Sequence, residues 1–304
     1  MRDSSALLVW HISDLHFSYR KRYTTENHCD ELEKKFYELL SSRRDICKDI
    51  FVISGDCTAT GGKRDLDRYN NFLEKLKSIG VGPDNILAVP GNHDTWFASF
   101  RLFIWLTALV PDFALVWLKK ISFFRKFLLF GLFGHKNFFL VSREINNIKY
   151  NFCLTNSCVN YELARGVFPK DVDLNKNNKE RNILILHHHI TDLERDEFGI
   201  RGTIKKSRMK IVNPQDAFHL IEEHKIDLVL HGHKHYQYFS KERPYIISAP
   251  SLLEKKYDLQ RGCDSIANMI GFNVLLIKPD SFKLYFLRLK NNDYCHDNIY
   301  ERTF

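Results

Sequence analysis

The chain of 304 residues predicts an α/β protein in which two mixed β-sheets pack on each other between flanking helices, with an aromatic helical insertion. Three observations predict it. Short runs rich in Val and Ile, each ended by a turn residue, recur along the chain as buried strands do. Longer helical stretches separate several of them. After residue 235 the chain reads as successive strands with no helix between them.

In chain order, Leu7 to Trp10 is the first expected strand and His28 to Arg43 the first helix. Ile50 to Ile53 and Ile86 to Val89 are strands on either side of a helix from Asp65 to Ile79. Ile183 to Leu186 and Ile226 to Leu230 are strands around a helix from Pro214 to His224, whose proline sits in the first turn, where it is tolerated. Tyr236 to Phe239, Tyr245 to Ile247, Phe272 to Ile277 and Phe282 to Leu289 complete the strands, the last two parted by the turn Pro279-Asp280. Asn175 to Lys179 is a short polar loop, and no internal repeat is visible.

Short polar motifs follow five of these strands: Asp14-Leu-His16, Gly55-Asp56, Gly91-Asn92-His93-Asp94, His187-His188 and Gly232-His233-Lys234-His235. Residues just beyond the carboxyl ends of neighbouring parallel strands converge on one crevice. Two carboxylates, an amide oxygen and four imidazoles form a mixed oxygen and nitrogen set suited to Mn, Fe, Zn or Ni. The two-residue spacing in Asp14-Leu-His16 and His233-Lys234-His235 fits extended backbone, which points residues i and i+2 to one side. A carboxylate such as Asp56 has two oxygens and can bridge two cations about 3.5–4 Å apart.

These motifs resemble the pattern of the calcineurin-like metallophosphoesterase superfamily, D-x-H, G-D, G-N-H-D/E, H-x-P and G-H-x-H, over roughly residues 7–94 and 181–289. The resemblance implies a four-layer αββα sandwich and two divalent metal ions, with Mn2+ favoured and Fe, Zn or Ni as alternatives. It puts Asp14, His16 and His235 on one metal, Asn92, His187 and His233 on the other, and Asp56 between them. It also makes His93 the acid beside the metals, with Asp94 orienting it. In this reading a metal-bridging hydroxide attacks phosphorus in line while His93 assists the leaving group. One departure is His187-His188-His189-Ile190, where the superfamily often has Pro two residues after its ligand histidine. His187 is assigned as ligand because it directly follows the strand. His188 is a candidate substrate-pocket residue, His189 is expected to be solvated, and His231 is read as strand-end. Cys57, beside Asp56, reads as a small packed thiol.

A net charge of +8 and a pI of about 9.0 suit an anionic phosphate-ester substrate and leave room for nucleic acid or acidic lipid. Basic residues gather at Arg201, Lys205, Lys206, Arg208 and Lys210, where Arg201, Lys205 and Lys206 are candidate substrate contacts and a solvated loop is the competing reading. Seven cysteines without C-x-x-C spacing suggest reduced thiols in the cytoplasm. Ala6 to Trp10 is too short for a signal sequence.

The chain is expected to form a single metallophosphoesterase domain, 1–304, within which residues 96–140 depart from the minimal plan. Trp96, Trp105 and Trp117 stand among many Phe and Leu, but Pro111-Asp112, Lys119-Lys120 and Arg125-Lys126 interrupt the run. No stretch reaches the roughly 18 apolar residues of a spanning helix. A helical cap over the active site, a peripheral membrane contact and a dimer surface all remain open. The root directly after the Gly91 motif favours the cap. At about 100° per residue Lys120 and Arg125 spread away from the face shared by Lys119 and Lys126, which weakens the lipid reading.

The expected activity is therefore metal-dependent hydrolysis of a phosphodiester, with a small or cyclic nucleotide as leading substrate. A nuclease on DNA or RNA, and a phosphohydrolase of a nucleotide-lipid or phosphomonoester, are the alternatives. A metal-stabilised binding or signalling protein with little turnover is the reading from a different class.

Overall fold

The computed structural model describes residues 6–17, 26–43, 45–59, 62–95, 137–158, 166–169, 180–191, 211–235, 237–240, 242–253, 270–290 and 293–304. The aromatic segment up to residue 136, the basic residues from Arg201 to Lys210, and Asn175 to Lys179 lie outside them.

The described strands are β1 (Leu7–Ile12), β2 (Ile50–Ile53), β3 (Ile86–Ala88), β4 (Phe138–Ile145), β5 (Ile148–Thr155), β6 (Glu180–Ile185), β7 (Ile226–His231), β8 (Tyr238–Phe239), β9 (Tyr245–Ser248), β10 (Gly271–Ile277), β11 (Ser281–Lys290) and β12 (Asp293–Thr303). Helices α1 (Glu26–Ser41), α2 (Lys63–Ser78) and α4 (Pro214–Glu223) fall where the sequence places helices, and α3 (Asn92–Thr95) is a single turn. Two mixed sheets result, in the orders β12-β11-β10-β1-β2-β3 and β4-β5-β6-β7-β9-β8. In the first, β1, β2 and β3 are parallel; in the second, β5, β6, β7 and β9 are.

Strand burial explains why these runs are apolar throughout. Every residue of β1 and β2 is buried, as in strands covered on both faces. Along β6 and β7 alternate residues go to different cores. Ile183, Ile185, Leu228 and Leu230 join Val9, Ile12, Val52 and Leu275 of the first sheet, while Leu184, Leu186 and Val229 pack with Ala217, Leu220 and Ile221 of α4. On α1, Leu32, Phe36 and Leu40 recur at a spacing of four, one helical face, and Phe36 meets Phe272 of β10 edge to face at 5.2 Å.

Of the expected helical insertion, Phe138 to Leu140 are instead strand and open β4. That strand pairs antiparallel with β5 around Asn146-Asn147, whose φ values of 51° and 62° give a tight hairpin turn. This hairpin and the edge strand β12 extend the sheets beyond the strands legible in the sequence.

The floor of the sandwich beneath the strand ends is polar. Asn273 donates through Nδ2 to the Ser248 carbonyl at 3.0 Å, which turns the same amide nitrogen toward His11 Nδ1 at 3.3 Å. His11 Nδ1 must then accept, so the ring proton lies on Nε2 and is donated to Ser54 Oγ at 3.0 Å. Burial, and secondarily the nearby His231, depress the His11 pKa to about 3. An unfolded histidine takes up its proton near pH 6.5, so between those values the unfolded chain binds more protons and stability falls as pH falls. Urea unfolding between pH 7 and pH 5 is expected to lose up to about 1.4 kcal/mol per pH unit from this residue. His11→Asn should flatten that slope; an unchanged slope would remove His11 as its source.

Candidate metal centre

Each motif leaves the carboxyl end of a parallel strand: Asp14 and His16 after β1, Asp56 after β2, Asn92 on α3 after β3, His187 after β6, and His233 and His235 after β7. The loops are stitched to one another. Asp14 N–H donates to Gly55 O, His16 N–H to Asp56 O, and Gly232 N–H to His187 O, at 3.0, 2.8 and 3.2 Å. The last of these joins two strands of the second sheet, and the first two join β1 to β2.

The paired ligands are not gathered by extended backbone, as the two-residue spacing suggests. Asp14, His16, Asp56, His233 and His235 all occupy the left-handed region, with φ of 52°, 49°, 49°, 74° and 57°. Such backbone turns each side chain back over the strand ends, at roughly 1–2 kcal/mol for an L-residue.

One set comprises Asp14, His16 and His235. His235 Nε2 lies 3.2 Å from Asp14 Oδ1 and 3.0 Å from His16 Nε2. Asp14 Oδ2 is taken by the His233 N–H at 3.0 Å, while Oδ1 is buried without a hydrogen-bond partner. A second set comprises Asn92, His187 and His233. His187 Nδ1 donates to the Ser54 carbonyl at 2.8 Å, so Nε2 faces the site and meets Asn92 Oδ1 at 3.0 Å and His233 Nδ1 at 3.1 Å. Asp56 Oδ2 lies between the sets, 3.7 Å from His16 Nε2 and 3.4 Å from His187 Nε2.

Asp56 Oδ1 also accepts the His93 N–H at 2.7 Å. Burial opposes ionisation of Asp56, yet His187, His93 and His16 hold its carboxyl well below the usual carboxylate range. Burial likewise opposes charge on His187, but Asp56 raises its pKa to about 9. So much attraction for positive charge, around lone pairs about 3 Å apart, fits divalent cations. Asp14, His16 and His235 form one grouping able to hold an ion, and Asp56, His187 and His233 another.

His93 stands at the edge of this centre, half-buried, its ring edge-on to His16 at 4.8 Å. Its Nδ1 donates to the Ala59 carbonyl at 3.0 Å, and this carbonyl orients it. Asp94 acts elsewhere. Its carboxylate accepts from Cys57 N–H and Gly91 N–H through Oδ2, and from Thr58 N–H and Oγ1 through Oδ1, at 2.7–3.0 Å. Fully buried, Asp94 fastens the Asp56 loop to the Asn92 loop. Burial and the charge of Asp56 push its pKa up to about 6, against the pull of the Gly91 and Thr58 donors. Gly91 permits this contact, because a Cβ there would lie 2.1 Å from Asp56 N.

His188 and His189 are both buried, so neither the substrate-pocket expectation for His188 nor the solvated one for His189 describes them. Their strand-end position, one step past an inward-facing ligand, continues into the protein interior. His231 closes β7, and Cys57 is a packed thiol, as expected. Ser54, Ala59 and Ser157 were not singled out from the sequence. Two of them act through backbone carbonyls, which any residue type supplies.

Two ligand sets sharing one carboxylate, at strand ends of a two-sheet α/β fold, define a site able to hold two divalent cations. The calcineurin-like phosphoesterase family matches residues 7–237, and the chain belongs to it. Over 85 residues, 27% of this chain, it is 38% identical to an uncharacterized metallophosphoesterase-like protein, YydB, of Bacillus subtilis (strain 168). That match spans 16% of the relative's length. In fold, the chain resembles a dimetal phosphatase from Danio rerio, with a TM-score of 0.56, 12% identity and 98% of each chain covered. It also resembles the purple acid phosphatase PPD1 of yellow lupin (Lupinus luteus), with a TM-score of 0.56, 12% identity and 98% of this chain covered against 54% of that one.

Asp94→Asn would set an amide N–H₂ against these donors and is expected to lower unfolding stability by about 2 kcal/mol or more. Equilibrium denaturation measures it, and wild-type stability would contradict the fastening role. At His235, metal-free protein carrying glycine should be more stable than the alanine variant by about 0.5–1 kcal/mol, because only glycine relieves the left-handed backbone. Paired melts in chelator test this; alanine at or above glycine would deny the strain.

Proposed function

We propose that the chain is a phosphoric ester hydrolase that cleaves a phosphodiester, with a small or cyclic nucleotide as the leading substrate. The carrying observation is the convergence of Asp14, His16, Asp56, Asn92, His187, His233 and His235 with their lone pairs inward. Two divalent cations held by these residues, Mn2+ first among them, would lower the pKa of a water nucleophile and neutralise charge on the phosphoryl oxygens.

The remaining work belongs to the chain. His93, oriented through Nδ1 by Ala59 O, supplies a proton to the leaving oxygen. Its backbone N–H on Asp56 Oδ1 ties that acid to the shared carboxylate. Asp94 sets the distance between the two loops and is a positioning residue. A cytoplasmic setting is supported by the free thiols Cys47, Cys57, Cys153, Cys158 and Cys295 among the described residues. No helix among the described residues is long and apolar enough to cross a membrane. The basic residues Arg201, Lys205 and Lys206 and the segment after residue 95 would then select the substrate.

Metal-free protein reconstituted separately with Mn, Ni, Fe and Zn should hydrolyse bis(p-nitrophenyl) phosphate with higher kcat/KM than p-nitrophenyl phosphate. His93→Ala should lower kcat about 10²–10⁴-fold, and Asp56→Asn should abolish turnover. Wild-type rates in both variants would overturn the assignment; preference for the monoester would overturn the phosphodiester choice.

A further inference from the structure

We infer that Ser157 and His188 form a brace that fixes the ligands of the second cation, which makes both of them positioning residues of the metal centre. The inference rests on the phosphoesterase reading above, since it takes Asn92, His187 and His233 as the ligands being braced.

His188 follows the ligand His187 directly, and its ring is wholly buried. Ser157, in the loop after β5, grips it twice. Ser157 Oγ accepts the His188 N–H at 3.3 Å and donates to Nδ1 at 2.9 Å. With the backbone and one ring nitrogen both attached to a single hydroxyl, the ring cannot turn about its side-chain bonds without breaking a contact. The acceptor role of Nδ1 also puts the ring proton on Nε2.

From this held position the ring bears on both imidazoles of the second set. It meets His187 edge-on at 5.1 Å and 79°, and His233 at 4.5 Å and 53°. On another side Gly166 is pressed against it: a Cβ there would lie 2.6 Å from His188 Cγ and Nδ1. The same short loop reaches the third ligand, because Cys158 Sγ–H donates to the Pro90 carbonyl at 3.5 Å, two residues before Asn92. One loop after β5 therefore touches the supports of all three ligands specific to the second cation. An aliphatic filler could occupy the volume of His188, but a fully buried serine bonded to both its backbone and its ring is what sets the ring's angle. Groups behind metal ligands hold them at their bonding angle, and their loss commonly weakens metal affinity about 10–100-fold.

The test is a titration of full-length, metal-free protein with Co2+, read by visible d–d absorption and by bound metal per chain, with melting temperatures measured in parallel. Wild type should take up two equivalents. Ser157→Ala and Gly166→Ala should weaken one equivalent about tenfold or more and change its absorption, leaving the other equivalent near wild type and the metal-free protein folded, with a lowered but cooperative melt. Ser157→Thr, which keeps the hydroxyl, should restore the wild-type spectrum. Two wild-type equivalents with unchanged spectra in Ser157→Ala and Gly166→Ala would overturn the brace while leaving the phosphoesterase reading intact. Loss of both equivalents along with the melting temperature would also overturn it, by assigning the pair to folding alone. A wild-type protein that binds no Co2+ would overturn the phosphoesterase reading, and the brace with it.

Discussion

Everything around the centre answers to one electrostatic constraint: carboxylates and imidazoles are held about 3 Å apart inside a protein, where charge must be matched. His187 Nε2 meets Asn92 Oδ1 at 3.0 Å, and His235 Nε2 meets Asp14 Oδ1 at 3.2 Å. The fold fixes three of these residues by committing their far side. His187 spends Nδ1 on Ser54 O, Asp14 spends Oδ2 on the His233 amide, and Asp56 spends Oδ1 on the His93 amide. These three are left with one atom directed inward, held there by hydrogen bonds made on the outer side.

The surrounding chemistry follows from that commitment. Asp94 can be buried because four donors meet its carboxylate, and those donors belong to the two loops that must stay in register. His11 can be buried because Asn273 and Ser54 prescribe which nitrogen carries its proton. In both cases a buried polar group is specified by the neighbours that bond it.

Much of the fold was legible because β1, β2, β3, β6 and β7 each contain a brief apolar run and are each followed by a ligand motif. The same is true of the ligand set, where residue type and order carried the chemistry. What stayed hidden had physical reasons. The β4–β5 hairpin begins inside a run of Phe and Leu that merges with the aromatic segment before it, so no composition change marks Phe138. The edge strand β12, with Asp293, His296, Asp297, Asn298 and Glu301, lacks the apolar character of a strand covered on both faces. The left-handed ligands could not be read either, since Asp and His at those positions suit the chemistry and the backbone at once. Asp94 illustrates the remaining gap: its residue type announced importance, but only the fold revealed that it grips backbone amides rather than the ring of His93.

Strand order carries one more consequence. β1 lies between β2 and β10, so the strand bearing Asp14 and His16 gains one neighbour early in the chain and the other only after residue 270. His235 and His233 also come late. During synthesis the first ligands to leave the ribosome therefore wait, half-framed, for partners more than two hundred residues behind them. The complete set exists only once both sheets have formed, so assembly of the centre reports that the two halves of the sandwich have come together.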